Sequence, residues 1–510
     1  MPRIAVVGSG HHGLVAAIRL AQAGLSVRVL EAAGHPGGAV TSGQDTLPGF
    51  VHDRCSAFFP MTAASPVFAE LDLELEWVDP DVPMAHVLAG GRAVVLHRDP
   101  AATAASLDAC APGAGAAWAG VVERLWPRRE TLMRAALGRF PPVAPAAELA
   151  LGMRLDALRL ARWLLTPAAR LLFDHQETSA WLAGSAAHSD LSPTARGSGA
   201  LGLVLNFLGH SVGWPFPRGG AGRLTDALAG RLHELGGELR CQAPVAVVEL
   251  DGGRVSGLRL MDGERIAADV VVATVGPDPL LALLPAGAFP PRLERRLRGW
   301  RYGLGTLKLD YALSGPVPWT APEARGAGVV HVGGPLRDIT DAQDQARRGR
   351  MPDRPMLVIG QHTAHDPSRA PAGRHTLYAY ARVPPRPGLP AAELAERVES
   401  RLEEFAPGFG DLVLARAVGT PRDLERDNPS LVGGDLAAGS LDLDQQLIFR
   451  PALRLVRHRT PIRGLYVAGA STYPGPAVHG ASGWAAAGAL LADTRSRRVR
   501  RSPGRVRSTP

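Results

Sequence analysis

Lysine is all but missing from this chain of 510 residues: Lys308 is the single lysine among 56 basic side chains. The 59 glycines and 44 prolines that go with so much arginine look like the codon bias of a GC-rich genome. The arginine count is therefore no argument for nucleic acid, and no such partner is expected. Cysteine is scarce too. Cys55, Cys110 and Cys241 stand far apart without a Cys-x-x-Cys pair, which disfavours dithiol exchange beside a cofactor. No spacing suited to a metal occurs either. Long apolar runs are absent. A charge-free segment, residues 197–217, is broken by Asn206, His210 and Pro215, and no uninterrupted apolar run approaches the ~20 residues that span a bilayer. The chain starts directly on its first strand, without room for a leader, so a cytoplasmic protein is expected.

What is present is an ordinary globular composition, 46% hydrophobic and 20% charged, in a chain long enough for two domains or more. The formal charge of +8 misleads. Residues 495–510 hold seven arginines and no acid, and +8 − 7 leaves +1 for the body. A solvated, disordered tail is the plain expectation; peripheral contact with an anionic membrane surface is the functional alternative.

The first forty residues organise the rest. Residues 4–7, Ile-Ala-Val-Val, form a short apolar run suited to a buried parallel strand. Gly8, Gly10 and Gly13 follow as Gly-x-Gly-x-x-Gly where strand must become helix. The three glycines serve a tight turn, a close approach to pyrophosphate and close helix–strand packing. The pyrophosphate sits on free N–H groups at the positive end of the helix. That helix is predicted over residues 14–23 and stops at Gly24. A second strand over residues 27–30 ends at Glu31, whose carboxylate suits ribose hydroxyls, and a second glycine pair, Gly37-Gly38, comes six residues later.

This stretch resembles the N-terminus of FAD-dependent oxidoreductases related to phytoene desaturases and, more distantly, of flavin amine oxidases. Those families usually read Gly-Gly-Arg after the acid, whereas Ala39 stands here; the Gly-Gly-Ala-x-Thr form resembles the phytoene-dehydrogenase-related subgroup. A phosphate contact made elsewhere by the arginine must then come from backbone or another residue. The resemblance implies noncovalent FAD, since no cysteine lies beyond Cys241 to serve the attachment site that amine oxidases carry near their closing motif. It implies cofactor contacts at Gly8, Gly10, His12, Gly13, Glu31, Gly37, Gly38 and Ala39. It adds Val245, in a strand over residues 244–248, and Gly469, Val478 and His479 of the closing motif. His11 and His12 are read as packing groups rather than metal ligands.

The fold class expected is α/β: a Rossmann-type FAD/NAD(P)-binding domain with a discontinuous substrate domain made of a helical cap plus a mixed sheet. The FAD-binding parts are residues 1–61, 206–280 and 456–494, the substrate parts residues 62–205 and 281–455, and residues 495–510 the basic tail. Few strand signals appear from about residue 62 to 196; Leu158, Ala161, Leu165 and Ala169 keep helical spacing, and ordinary core or cavity lining is their expected use. Gly219, Gly220 and Gly222 imitate a second dinucleotide loop, but residues 213–217 make no buried strand before them, so that reading is rejected. Residues 306–311, 356–361 and 376–382 read as strands and residues 392–405 as an amphipathic helix. The closing motif, residues 460–470, precedes Pro474-Gly-Pro-Ala-Val478, where the family often reads Pro-Gly-Gly-Gly-Val; Pro476 and Ala477 make that loop stiffer and bulkier.

One dinucleotide domain, not two, separates the chain from paired-fold NAD(P)H–flavin reductases. The resemblance implies a dehydrogenase or desaturase that takes a hydride from a small apolar or lipid-like substrate onto the flavin, with oxygen or a quinone restoring it. A flavin amine oxidase and a non-catalytic flavin-binding regulatory protein stand as alternatives. Lys308 lies in Gly305-x-x-Lys-x-x-Tyr311, a pattern similar to the amine-oxidase strand whose lysine holds water against the flavin. It is the catalytic candidate, weighed evenly against a chance surface lysine. Strand alternation places it on one face with Thr306 and Asp310.

Overall fold

Both glycine loops of the opening segment hang from a five-stranded parallel sheet. Its order is Leu465–Val467, Val270–Ala273, Ile4–Val7, Val27–Leu30, Glu238–Arg240. The computed structural model describes residues 2–138 and 140–501. Because parallel strands are buried on both faces, they take apolar residues at consecutive positions, which is why residues 4–7 and 270–273 contain no charge. Alternation then divides them. Val6, Val29 and Val272 pack under the helices His11–Gln22, Gly222–Glu234 and Ala481–Arg501. Ala5, Val7 and Val271 face a three-stranded antiparallel sheet built from residues 245–267. The opening and closing helices lie in close contact: a side chain at Gly483 would come 1.9 Å from the carbonyl oxygen of His12.

The second layer is a seven-stranded mixed sheet. Its order is Val413–Gly419, Gly305–Leu313, His375–Val383, Leu357–Gly360, Ala327–Val332, Val82–Leu88, Arg92–Leu96. One face, with Leu307, Leu309, Leu377 and Ile359, packs on the helix Ala391–Glu403. The other carries Lys308 opposite Tyr380 and Asp310 opposite Tyr378, and meets the helices Gln176–Ala186 and Ser198–Ser211.

Two expectations are corrected here. Residues 82–96, inside the stretch read as almost wholly helical, form the hairpin at one edge of this sheet. Residues 82–88 are buried along nearly their whole length, so they show no polar alternation to betray a strand. The closing helix runs to Arg501, so the basic segment begins as helix. Arginine is a good helix former, and no breaker stands before Pro503. Residues 502–510 lie outside the described residues.

Candidate functional site

Gly8, at φ +96°, turns the chain so that its N–H reaches the carbonyl of Leu30 at 2.8 Å. A Cβ there would lie 2.6 Å from Thr274 Oγ1, and one on Gly13 would lie 2.0 Å from the carbonyl oxygen of Gly8. Gly10 differs from both: a Cβ there would meet nothing within 4 Å. The space in front of Gly10, at the uncapped N-terminus of the opening helix, is therefore kept clear while its neighbours are packed. Gly37 and Gly38, at φ +118° and +58°, fold back over it. Gly37 N–H donates to Ser9 O at 3.2 Å, and a Cβ on Gly38 would come 3.3 Å from Gly10 Cα. The result is a cleft walled by backbone, as a dinucleotide pyrophosphate requires.

Glu31 stands at the rim of this cleft. Its Oε2 accepts from Ser9 N–H (2.8 Å) and Ser9 Oγ (2.7 Å), and its Oε1 from Ala33 N–H at 2.9 Å. Oε1 keeps lone-pair capacity for a ribose hydroxyl. Residues 242 and 243 clamp the same corner, Gln242 N–H on Ala33 O and Ala243 N–H on Glu31 O, and Val245 opens the next strand beside them. Ala39 faces Cys55, Leu424 and Leu431, leaving no long side chain there. Asn428 Nδ2, 3.7 Å from the Cβ position of Gly38, is the polar group at that wall, and no motif pointed to it. These residues fit a bound FAD.

The closing segment completes the cleft from the other side. Gly469, at φ +118°, lies against Thr274, and its N–H donates to Ser482 Oγ at 2.9 Å. His479 Nδ1 accepts from Ala481 N–H at 3.1 Å, so its Nε2 carries the proton and donates to Gly475 O, also at 3.1 Å. The His479 ring thereby fastens both ends of the loop and caps the closing helix, its two nitrogens taken by backbone. Thr62 Oγ1 donates to Val478 O, and Ser65 Oγ to His479 O at 2.7 Å. His11, His12 and His479 pack ring to ring, centroids 4.0 and 5.1 Å apart. Burial pushes His11 down to about 3 and His479 to about 4, and His12 far below its ordinary value, so all three are neutral near pH 7. Arg450, fully buried, donates to the carbonyls of Ala470 (2.9 Å) and Ala437 (2.7 Å) and ties the closing strand to the substrate side.

Beyond Pro476, Ala477 and Val478 opens a cavity of ≈ 260 Å³. Phe58, Phe59, Trp214, Tyr378 and Tyr380 line it, with Leu201 and Leu205 of the helix Ser198–Ser211. Arg382 and His188 are its ionisable side chains besides Cys55 and the tyrosines; no carboxylate occurs among the described residues that line it. Tyr380 Oη lies 3.0 Å from His188 Nδ1, and His188 Nε2 2.9 Å from His331 Nε2. Burial drives His188 down to about 3 and raises Tyr380 to about 12. Tyr380, His188 and His331 thus form a neutral hydrogen-bonded series, with the direction of each bond set by the tautomer of His188.

Lys308 is not a surface lysine. It is buried, paired with Asp310, and its Nζ stands 4.5 Å from the ring centre of Tyr378. It lies on the cavity face of the sheet, one layer behind the lining. Burial raises the Cys55 thiol to about 11 against the pull of the Lys308 ammonium. Asp310 also faces His52 Nδ1 at 3.5 Å. The rejected glycine loop proves to be a carboxylate holder: Gly219 N–H donates to Asp366 and Ala221 N–H to Asp53, both at 2.7 Å, and Arg369 joins the two acids.

Comparison with known proteins agrees with this geometry. The family described as flavin containing amine oxidoreductase matches residues 13–491. Pyridine nucleotide-disulfide oxidoreductase domain-containing protein 2 of Mus musculus is 27% identical, over 96% of this chain and 93% of its own. Hydroxyneurosporene desaturase of Cereibacter sphaeroides is 29% identical, over 98% and 99%. Among solved structures, a putrescine oxidase triple mutant superposes with a TM-score of 0.63 at 16% identity, over 97% of this chain and 99% of that one. An oxidoreductase from Methanosarcina mazei gives 0.61 at 16%, over 96% and 100%.

Proposed function

The chain belongs to the flavin containing amine oxidoreductase family, and from that premise we propose that it is a dehydrogenase or desaturase of an apolar organic substrate, with oxygen or a quinone as final acceptor. It is an FAD-dependent oxidoreductase. The cofactor, when bound, supplies the hydride acceptor. What this chain adds is a backbone-walled cleft to hold it and an apolar chamber to position substrate.

The observation that carries the reading is the character of that chamber. Its walls are aromatic and aliphatic, and its fixed charge is the guanidinium of Arg382 without a facing acid. A substrate ammonium would meet like charge in a dry site, whereas a hydrocarbon leaves no polar group unpaired. The desaturase relatives support the same choice. Dehydrogenation also releases a proton. Tyr380, backed by His188 and His331, is the hydrogen-bonded group in the chamber that can pass one along. Lys308 remains the proposed catalytic lysine, acting on the chamber from behind Tyr378. Anaerobic titration of the purified protein with unsaturated lipids and with amines, followed by flavin bleaching, tests the whole. Bleaching by apolar compounds is expected. Bleaching by amines alone overturns the substrate class, and bleaching by neither leaves a non-catalytic flavoprotein.

A further inference from the structure

We propose that the helix Leu155–Leu165, with the turn before it and the segment around residues 443–453, forms a docking surface for an anionic lipid bilayer. No residue of that helix is buried. Leu155 is 80% exposed, Leu158 71% and Leu165 55%, and Leu151 at the end of the preceding helix is 80% exposed. Positions 155, 158 and 165 fall on one helical face, turned away from Ala157, Leu160 and Trp163, which lean on the core. Leu158 and Leu165, expected from spacing to be core or cavity lining, are neither. Single exposed leucines are normal; a contiguous apolar patch on the order of several hundred Å² marks an interaction site.

A second segment extends the patch. Leu443, Leu447, Phe449 and Leu453 are all exposed. Leu443 meets the helix over Gly197: the Cβ position of that glycine is 2.9 Å from Leu443 Cδ2 and 3.8 Å from Leu164 O. The helix Ser198–Ser211 begins at the same point, and its Leu201 and Leu205 line the chamber together with Leu441. The apolar surface therefore backs directly onto the apolar cavity.

The charges choose the occupant. Between residues 154 and 170 stand four exposed arginines, Arg154, Arg159, Arg162 and Arg170, against Asp156, and residues 443–453 add the exposed Asp444, which is paired with Arg301, a balance of 4 − 2 = +2. Arg162 lies within the leucine face, seven residues after Leu155 and four after Leu158. Long basic side chains among leucines keep their heads at the headgroup level while the apolar face sinks in. A second copy seated on the same patch would set arginine against arginine across a two-fold axis, whereas anionic headgroups complement them. No helix among the described residues is long and apolar enough to cross a membrane, so the protein would lie on the surface.

The test uses the full-length flavoprotein, floated with phosphatidylcholine vesicles with or without phosphatidylglycerol. Anionic vesicles should carry the protein upward, and Leu155→Glu/Leu158→Glu should weaken that about tenfold or more. Flavin content and Tm should stay at parent values, because both positions are exposed. A Leu158→Trp variant should gain a blue shift of emission with the same vesicles. Removing residues 495–510 should leave flotation in place. Three results each overturn the proposal: no flotation of the parent, flotation of the double variant like the parent, or a parent dimer that the double variant splits. Substrate is not needed, so failure here leaves the reading of the chamber untouched.

Discussion

Gly10 and Gly13 belong to one motif, yet the space around them separates their duties. A side chain at residue 10 enters open volume, so Gly10→Val should fold with a cooperative melt and purify colourless, because the valine occupies the pyrophosphate's place. A side chain at residue 13 collides with the backbone of Gly8, so Gly13→Val should fail to give soluble protein at all. Flavin absorbance per mole of protein and a thermal melt read the difference; yellow Gly10→Val protein would refute the assignment. Lys308 calls for a paired design. Lys308→Met should keep FAD while slowing flavin reduction or its reoxidation by oxygen. It also strands the Asp310 carboxylate in a buried site, at about 3–5 kcal/mol of stability. Lys308→Met/Asp310→Asn should recover the stability but not the rate. Parent rates for both half-reactions in the double variant would remove Lys308 from the chemistry.

At the scale of elements, the closing loop is where local preference and tertiary demand collide. Ala477 is held at φ +109°, a region an L side chain rarely adopts and which costs about 1–3 kcal/mol. The loop is fixed there by Thr62, Ser65 and the His479 ring, so alanine carries the strain of a position that favours glycine. Ala477→Gly should raise stability by about 1 kcal/mol after the added chain entropy of glycine. The urea midpoint at unchanged m-value measures it, and a lowered midpoint would show that no strain is stored. The edge hairpin of residues 82–96 shows the reverse case. Its first strand is buried on both faces, so tertiary packing erased the alternation by which a strand is recognised.

For the molecule as a whole, buried neutral histidines set the response to acid. Burial lowers His11, His188 and His362 to about 3 and His86, His210, His458 and His479 to about 4; His12 and His331 lie well below their ordinary value. Below about pH 6.5 the unfolded chain takes up protons that the folded one refuses. Stability should therefore fall as pH drops from about 6.5 toward 4, by about 1.4 kcal/mol per pH unit for each such group once it titrates in the unfolded chain. Asp79, Asp190 and Asp310, raised chiefly by burial, act in the opposite sense, but they are three against nine. Tm should decline through this window, and a flat profile would contradict the burial of these rings as neutral species.

What the sequence by itself determined is the cofactor cleft. Gly8, Gly10, Gly13, Glu31 and the pair Gly37-Gly38 are local in the chain, and each obeys a constraint that acts within a turn or two: a positive φ, a missing Cβ, a carboxylate at a strand end. That is why the Rossmann-type half and its FAD were legible before any coordinate. The chamber was not legible, because Phe58, His188, Leu205, Val358 and Tyr380 come from distant stretches and carry no motif; only packing of the two sheets brings them to one wall. The same holds for the short reach from Lys308 to Asp310, and for the outward turn of Leu158. Helical spacing says which residues share a face, but what covers that face is decided by the rest of the molecule.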